Sequence, residues 1–220
     1  MTQLVLYTIA RVDVDGFENI PKEGGCLVIS NHVGRLDTWL GFIMANRDDT
    51  IIMIADKYAQ NRVLKFLGDA IDTIWVNRDG GDIRSLRKAQ KRLKAGGLAV
   101  IAPEGTRSPT EALIKPKAGA AFLAGKAEVP IVPIALAGTE DSVVSQRLRR
   151  FRRLDLRIRV GKPFTLPPMP KRNKEQFVED ATEEMMCQIA SLLPERYRGI
   201  YADKARVAEL VEKKGKEIGH

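Results

Sequence analysis

The sequence predicts an α/β fold, a single layered domain with a mixed, largely parallel central sheet flanked by helices. Three observations carry that reading. Short uninterrupted apolar runs, Cys26–Ser30, Thr50–Ala55 and Leu98–Ala102, have the composition of strands buried on both faces. Stretches with apolar residues at helical spacing lie between them, the alternation that goes with a parallel sheet. The chain, 220 residues at 44% hydrophobic, is long enough for one sizeable core.

Taken in order, Arg11–Gly16 alternates polar and apolar residues and reads as a half-buried strand, followed by a turn over Asn19–Gly25. The buried strand Cys26–Ser30 delivers the polar turn Asn31–Asp37, after which a helix begins. Thr50–Ala55 reads as one continuous buried strand, Val63–Leu67 as helix and Ile71–Val76 as strand. In the next helix Ile83, Leu86, Ala89 or Gln90, and Leu93 recur at helical spacing, Asp82 caps the start, Gly96 ends it, and the outer face is strongly basic. Leu98–Ala102 runs straight into Pro103–Pro109, and Lys117–Ala124 is a helix of small residues suited to close packing. Val129–Leu136 is a further strand, whose Pro130 and Pro133 suggest an edge or irregular position. Leu156, Ile158 and Val160 alternate with Arg157 and Arg159 in a strand, and Phe177–Leu193 is helical with a core-facing stripe. Residues 1–200 form the domain and residues 201–220 a charged, helix-prone tail expected to fray.

The net charge of +8 favours an anionic partner: nucleic acid, an acidic membrane surface or a phosphorylated small molecule. Aromatic content of 6% is low for base stacking and no nucleic-acid motif is present, so no nucleic-acid partner is expected. Cys26 and Cys187 sit in apolar segments without metal or redox spacing, as reduced core residues of a cytosolic protein do. With one internal histidine there is no zinc ligand set, and no metal is expected. No apolar run approaches the roughly 18 residues that span a bilayer. Met1–Ala10 is too short for a signal peptide and lacks its positive flank, which points to a soluble or peripheral protein.

Only two histidines occur, and His220 is the last residue, so any imidazole chemistry falls to His32. His32 and Asp37 would stand about 140° apart on a regular helix. They meet if His32 lies in the loop at the strand's carboxyl end and Asp37 at or near the helix N-cap, with Gly34 permitting the bend. The carboxylate then accepts from one ring nitrogen and leaves the other to deprotonate a hydroxyl. Asp37 as a plain helix cap is the alternative. Glu104–Ser108 is a glycine-bearing loop after a buried strand: Gly105 exposes backbone N–H groups, Thr106 and Ser108 offer hydroxyls, and Arg107 a planar fork suited to phosphate. Both loops leave strands at their carboxyl ends and so face one crevice. The five arginines of Arg147–Arg153 form either a solvated basic face or a contact for a membrane surface or a phosphate-rich donor.

Asn31-His32 with Asp37, Trp75-Val76-Asn77-Arg78, Glu104-Gly105-Thr106-Arg107-Ser108 and Val129-Pro130-Ile131-Val132-Pro133 follow the order and approximate spacing of the four motifs of the glycerolipid acyltransferases. Over roughly residues 11–165 the chain resembles the 1-acylglycerol-3-phosphate acyltransferase (PlsC-type) family. The resemblance implies a glycerol-3-phosphate (1)-acyltransferase-like fold. It also implies transfer of a fatty acyl group from acyl-CoA or acyl-carrier protein to the free sn-2 hydroxyl of 1-acyl-sn-glycerol 3-phosphate. No cofactor is then needed, the donor being a co-substrate. His32 becomes the general base and Asp37 its orienting carboxylate, while Glu104, Gly105, Thr106, Arg107 and Ser108 bind the acceptor's glycerol phosphate with help from Arg78. The long hydrophobic N-terminal segment of many relatives is missing, which implies peripheral attachment to an anionic membrane surface on the cytoplasmic face. Asp72 and Trp75, and Val33-Gly34 after the histidine, depart from the usual pattern and leave acceptor and acyl-chain preference open. Another lysophospholipid or a glycolipid hydroxyl as acceptor, and a non-catalytic basic lipid- or nucleic-acid-binding module, are the alternatives. A serine hydrolase is disfavoured because no Gly-x-Ser-x-Gly elbow occurs.

Overall fold

The computed structural model describes residues 9–45, 47–77 and 82–218. In chain order its elements are β1 (Ala10–Asp15), β2 (Cys26–Ser30), α1 (Leu36–Ala45), β3 (Thr50–Ile51), β4 (Met53–Ala55), α2 (Arg62–Ala70), β5 (Ile74–Val76), α3 (Ile83–Lys94) and β6 (Leu98–Ile101). They continue with α4 (Gly119–Ala127), β7 (Ile131–Ala137), α5 (Asp141–Arg149), β8 (Leu154–Val160), α6 (Lys174–Leu192) and α7 (Ala205–Ile218). Six strands form one sheet in the order β1-β8-β7-β2-β6-β3, in which only the β7–β8 pair is antiparallel. The fold class read from the sequence therefore holds.

The uniformly apolar strands are explained by a helical layer on each face. Leu27 and Ile29 of β2 join the cluster that includes Leu93 of α3, Leu123 of α4 and Ile189 of α6. Cys26 and Val28, pointing the other way, join Leu40 of α1, with Val144 of α5 packed alongside. Each such leucine or isoleucine contributes about 1.5–3 kcal/mol when fully buried. The small residues of α4 permit close approach: a Cβ on Gly125 would lie 2.5 Å from the Phe177 ring of α6.

Four sequence expectations are corrected. Thr50–Ala55 is not one strand. The Ile52 carbonyl accepts the Ile74 N–H at 2.8 Å, so β4 leaves the main sheet and pairs with β5, while β3 stays on β6. The strand expected from Ile71 begins at Ile74, because Ile71 closes α2 and Asp72 turns the chain at φ 52°. The proline-bearing strand β7 is interior, with every residue buried. Pro133 is tolerated there because its ring nitrogen shares a side with its carbonyl, which accepts the Gly161 N–H at 2.8 Å just past the end of β8, so the one missing donor falls at the end of the β8 ladder and the pairing with β2 is not interrupted. Residues 205–218 of the tail form a helix, α7, as its helix-prone sequence suggests, but Val207 and Leu210 are buried in the core and do not leave it to fray.

Because β2, β6 and β7 are mutually parallel neighbours, the loops after them, residues 31–35, 102–108 and 138–140, leave at one rim of the sheet.

Candidate active site

The loop after β2 is fixed before it reaches the histidine. Asn31, 1% exposed, spans to β7 with its amide: Nδ2 donates to the Leu136 carbonyl and Oδ1 accepts the Leu136 N–H, both at 2.8 Å. His32 follows, and its Nδ1 lies 3.0 Å from Asp37 Oδ2. The same oxygen accepts the N–H groups of Val33 at 2.7 Å and Gly34 at 2.8 Å. Asp37 sits in the first turn of α1 rather than ahead of it, so its carboxylate reaches back across the loop. One buried oxygen thus folds the loop and orients the ring. With a carboxylate as its neighbour, Nδ1 carries the proton and Nε2 presents a lone pair. Asp37 Oδ1 is buried without a hydrogen-bond partner among the described residues.

Gly34 allows the loop to lie directly on the β7–α5 connection: a Cβ there would stand 1.8 Å from the Thr139 carbonyl oxygen. Asp141, first residue of α5, accepts the Arg35 N–H at 2.8 Å and pairs with the Arg107 guanidinium at 2.5 Å. One nitrogen of the Arg107 fork is thereby already held by a carboxylate.

The Glu104–Ser108 segment is divided in its roles. Glu104 and Ser108 are 1% and 6% exposed and face inward. Glu104 accepts the N–H groups of His32 at 2.9 Å and Ile114 at 3.1 Å, one on each oxygen. Ser108 donates its N–H to the His32 carbonyl at 2.8 Å and its hydroxyl to the Ala112 carbonyl at 2.6 Å. Both expected substrate ligands are therefore braces of the histidine loop, their polar atoms taken by main chain. Burial pushes the Glu104 carboxyl up from 4.5 to about 7, against the two donated N–H bonds that favour its charged form. Thr106 is exposed and Gly105 turns the chain at φ 68°. Arg78 lies outside the described residues.

His32 opens on a cavity of about 340 Å³. Its walls are mostly apolar, with Met53, Val76, Leu86, Ile101 and Ala120 among them; Gly105 and Lys117 stand on its margin. Among the described residues, no cluster of three or more His, Cys, Asp or Glu side chains is placed to share a metal ion, and no helix is long and apolar enough to cross a membrane.

A sequence profile described as Acyltransferase matches residues 11–137, which include the histidine loop, the Glu104 loop and the strand that anchors them. The chain belongs to the Acyltransferase family. Among relatives of this acyltransferase are the human 1-acyl-sn-glycerol-3-phosphate acyltransferase alpha, 32% identical over 174 residues, and the Saccharomyces cerevisiae 1-acyl-sn-glycerol-3-phosphate acyltransferase, 30% identical over 184 residues. The aligned parts cover 75% and 80% of this chain but only 56% and 58% of those proteins. The chain spans about half the length of the curated relatives it matches, 46% in the case of a chloroplastic enzyme of Brassica napus. In fold it is similar to the crystal structure of the 1-acyl-sn-glycerophosphate (LPA) acyltransferase PlsC from Thermotoga maritima, with TM-score 0.60 and 22% identity over 82% of this chain and 72% of that one.

Two acyltransferase residues escaped the sequence reading. Asn31 was read only as part of a motif, and Asp141 was given no role. The run Gly138-Thr139-Glu140-Asp141, polar and acidic immediately after a buried strand, is the signal that marks Asp141.

Proposed function

We propose that the protein transfers a fatty acyl group from a thioester donor, acyl-CoA or acyl-carrier protein, to the free sn-2 hydroxyl of 1-acyl-sn-glycerol 3-phosphate. The observation that carries this reading is the His32–Asp37 contact at the mouth of a largely apolar cavity. His32 Nε2 takes the acceptor's hydroxyl proton as the oxygen attacks the thioester carbonyl. The tetrahedral intermediate collapses by breaking the carbon–sulfur bond, and the proton on the imidazole passes to the departing sulfur. Ester and free thiol are the products, and no acyl-enzyme forms. General-base help of this kind gives about 10² to 10⁴ in rate, so positioning carries much of the remainder. The apolar walls suit an acyl chain, and Arg107 suits the acceptor phosphate by bidentate geometry. A peripheral position on the cytoplasmic face of a membrane fits substrates that reside in the bilayer.

The test is thiol release measured with a panel of donors and acceptors. Lysophosphatidate is expected to outperform acceptors lacking the phosphate, and His32→Ala is expected to abolish release while leaving thermal unfolding unchanged. A His32→Ala protein with full activity would falsify the general-base assignment.

A further inference from the structure

Helix α2 is built inside out. Val63, Leu64, Phe66 and Leu67 are 67%, 45%, 73% and 53% exposed, and Gly68 is the one buried residue of the helix. At roughly 100° per residue these four side chains and Ala70 cover an arc of about 160°. Against the protein lies the other side: a Cβ on Gly68 would stand 2.5 Å from the Trp75 ring, and Asp69 accepts the Trp75 Nε1–H at 2.8 Å while pairing with Lys65. Ile71, 57% exposed, and Tyr58, 43% exposed with Lys57 5.4 Å from its ring centroid, extend the apolar surface at either end. A soluble helix turns its apolar stripe inward, so this outward arc marks a surface that another phase or partner covers.

The charge beside it says what that cover is. α3 carries six basic and no acidic side chains, and Asp72, just past α2, is paired with its Arg92 and Lys88, which joins the basic helix to the end of the apolar one. We infer that α2 is an interfacial docking helix, its apolar arc seated in the surface of an anionic phospholipid bilayer with the outer face of α3 against the headgroups. This deepens the proposed function by naming where the membrane lies. β4 and β5, the strands that α2 connects, contribute Met53 and Val76 to the cavity wall, so a bilayer at α2 is beside the chamber that receives an acyl chain. The Arg147–Arg153 cluster makes a poorer docking face: Arg147 is tied to Asp155 and to the Arg153 carbonyl, and among the described residues the exposed large hydrophobics within it are Leu148 and Phe151.

The experiment is co-sedimentation with vesicles of phosphatidylcholine alone or mixed equally with phosphatidylglycerol, using wild type, Val63→Asp/Phe66→Asp and Arg84→Glu/Arg87→Glu. All four positions are exposed, so melting temperatures should match and report intact folds. Wild type should prefer the mixed vesicles, the α2 variant should lose about tenfold or more of its binding, and the α3 variant should lose the preference for anionic lipid. Unchanged binding by the α2 variant overturns the proposal. So does a wild-type dimer that the α2 substitutions dissociate while vesicle binding persists, since a second copy would then cover the face. Sedimentation needs no turnover: if thiol release fails with every donor, the proposed reaction falls and the docking result still stands or falls by itself.

Discussion

The main-chain N–H of His32 donates to Glu104 Oε1 at 2.9 Å, which ties the histidine loop to the loop after β6 across 72 residues of sequence. Together with the Nδ1 contact to Asp37, it leaves the histidine anchored at both backbone and ring.

Glu104→Gln should therefore cost stability and activity together. Two N–H donors face the carboxyl, and an amide offers one oxygen, so one donor loses its acceptor at a cost of about 1–3 kcal/mol. The pH dependence carries a second signature. The folded carboxyl titrates at about 7, above its ordinary 4.5, so the folded chain keeps a proton that the unfolded chain releases between those values. That contribution is complete below about 4.5 and is lost as pH rises through 7, on the order of 3 kcal/mol in all. Urea unfolding of both proteins at pH 5 and pH 8 should show wild type's advantage shrinking at the higher pH. A constant gap would rule out the raised Glu104 titration.

Asp37→Asn should reduce kcat far more than it raises KM. Asp37 Oδ2 accepts three donors, and only the charged acceptor fixes the proton on Nδ1 and stabilises the imidazolium that forms during transfer. A loss of about 10² to 10⁴ in kcat is expected, with the acceptor's KM changed little. A purely KM effect would assign Asp37 to substrate binding.

Much of this arrangement was legible in the chain, and the gaps have physical causes. The β2 strand, the α3 cap at Asp82 and the His32–Asp37 meeting follow from local patterns: an apolar run, an N-cap residue and a five-residue spacing with a glycine inside. The bracing contacts of Glu104 and Ser108 were not legible because a loop's polarity does not tell which way its side chains point. Here two backbone N–H groups on other loops draw the Glu104 carboxylate inward. The split at Ile52 was hidden because β3 and β4 have the same apolar composition and differ only in which neighbour they pair with. Asp141 acts through contacts 34 and 106 residues away, which no local pattern contains.

Arg107→Ala is expected to raise the KM for lysophosphatidate by roughly tenfold to a hundredfold, the 1.5–3 kcal/mol scale of a charge-assisted hydrogen bond. A monoacylglycerol acceptor, which lacks the phosphate, should lose much less. Asp141→Asn tests the same site from the other side: it weakens the carboxylate's hold on Arg107 and should not reproduce the Arg107→Ala defect. Equal losses on both acceptors for Arg107→Ala would make the arginine structural instead.

Ala120→Phe should shift donor preference toward shorter acyl chains. Ala120 is 2% exposed, is the second residue of α4 and lines the cavity together with residues of β4, β5 and β6. A phenyl ring there fills space that the distal methylenes of a long chain would occupy, while His32 and Asp37, on a different loop, keep their contact. The discriminating measurement is kcat/KM across a donor series of increasing chain length. Short donors should be spared and long donors lose about 1 kcal/mol of transition-state stabilisation for each methylene displaced, the scale of one CH₂ transferred from an apolar site to water. A uniform decline at every length would instead report overpacking of the α4–sheet interface, which costs about 1–3 kcal/mol and would lower the melting temperature as well. The two outcomes separate an acyl-binding chamber from a gap in the core.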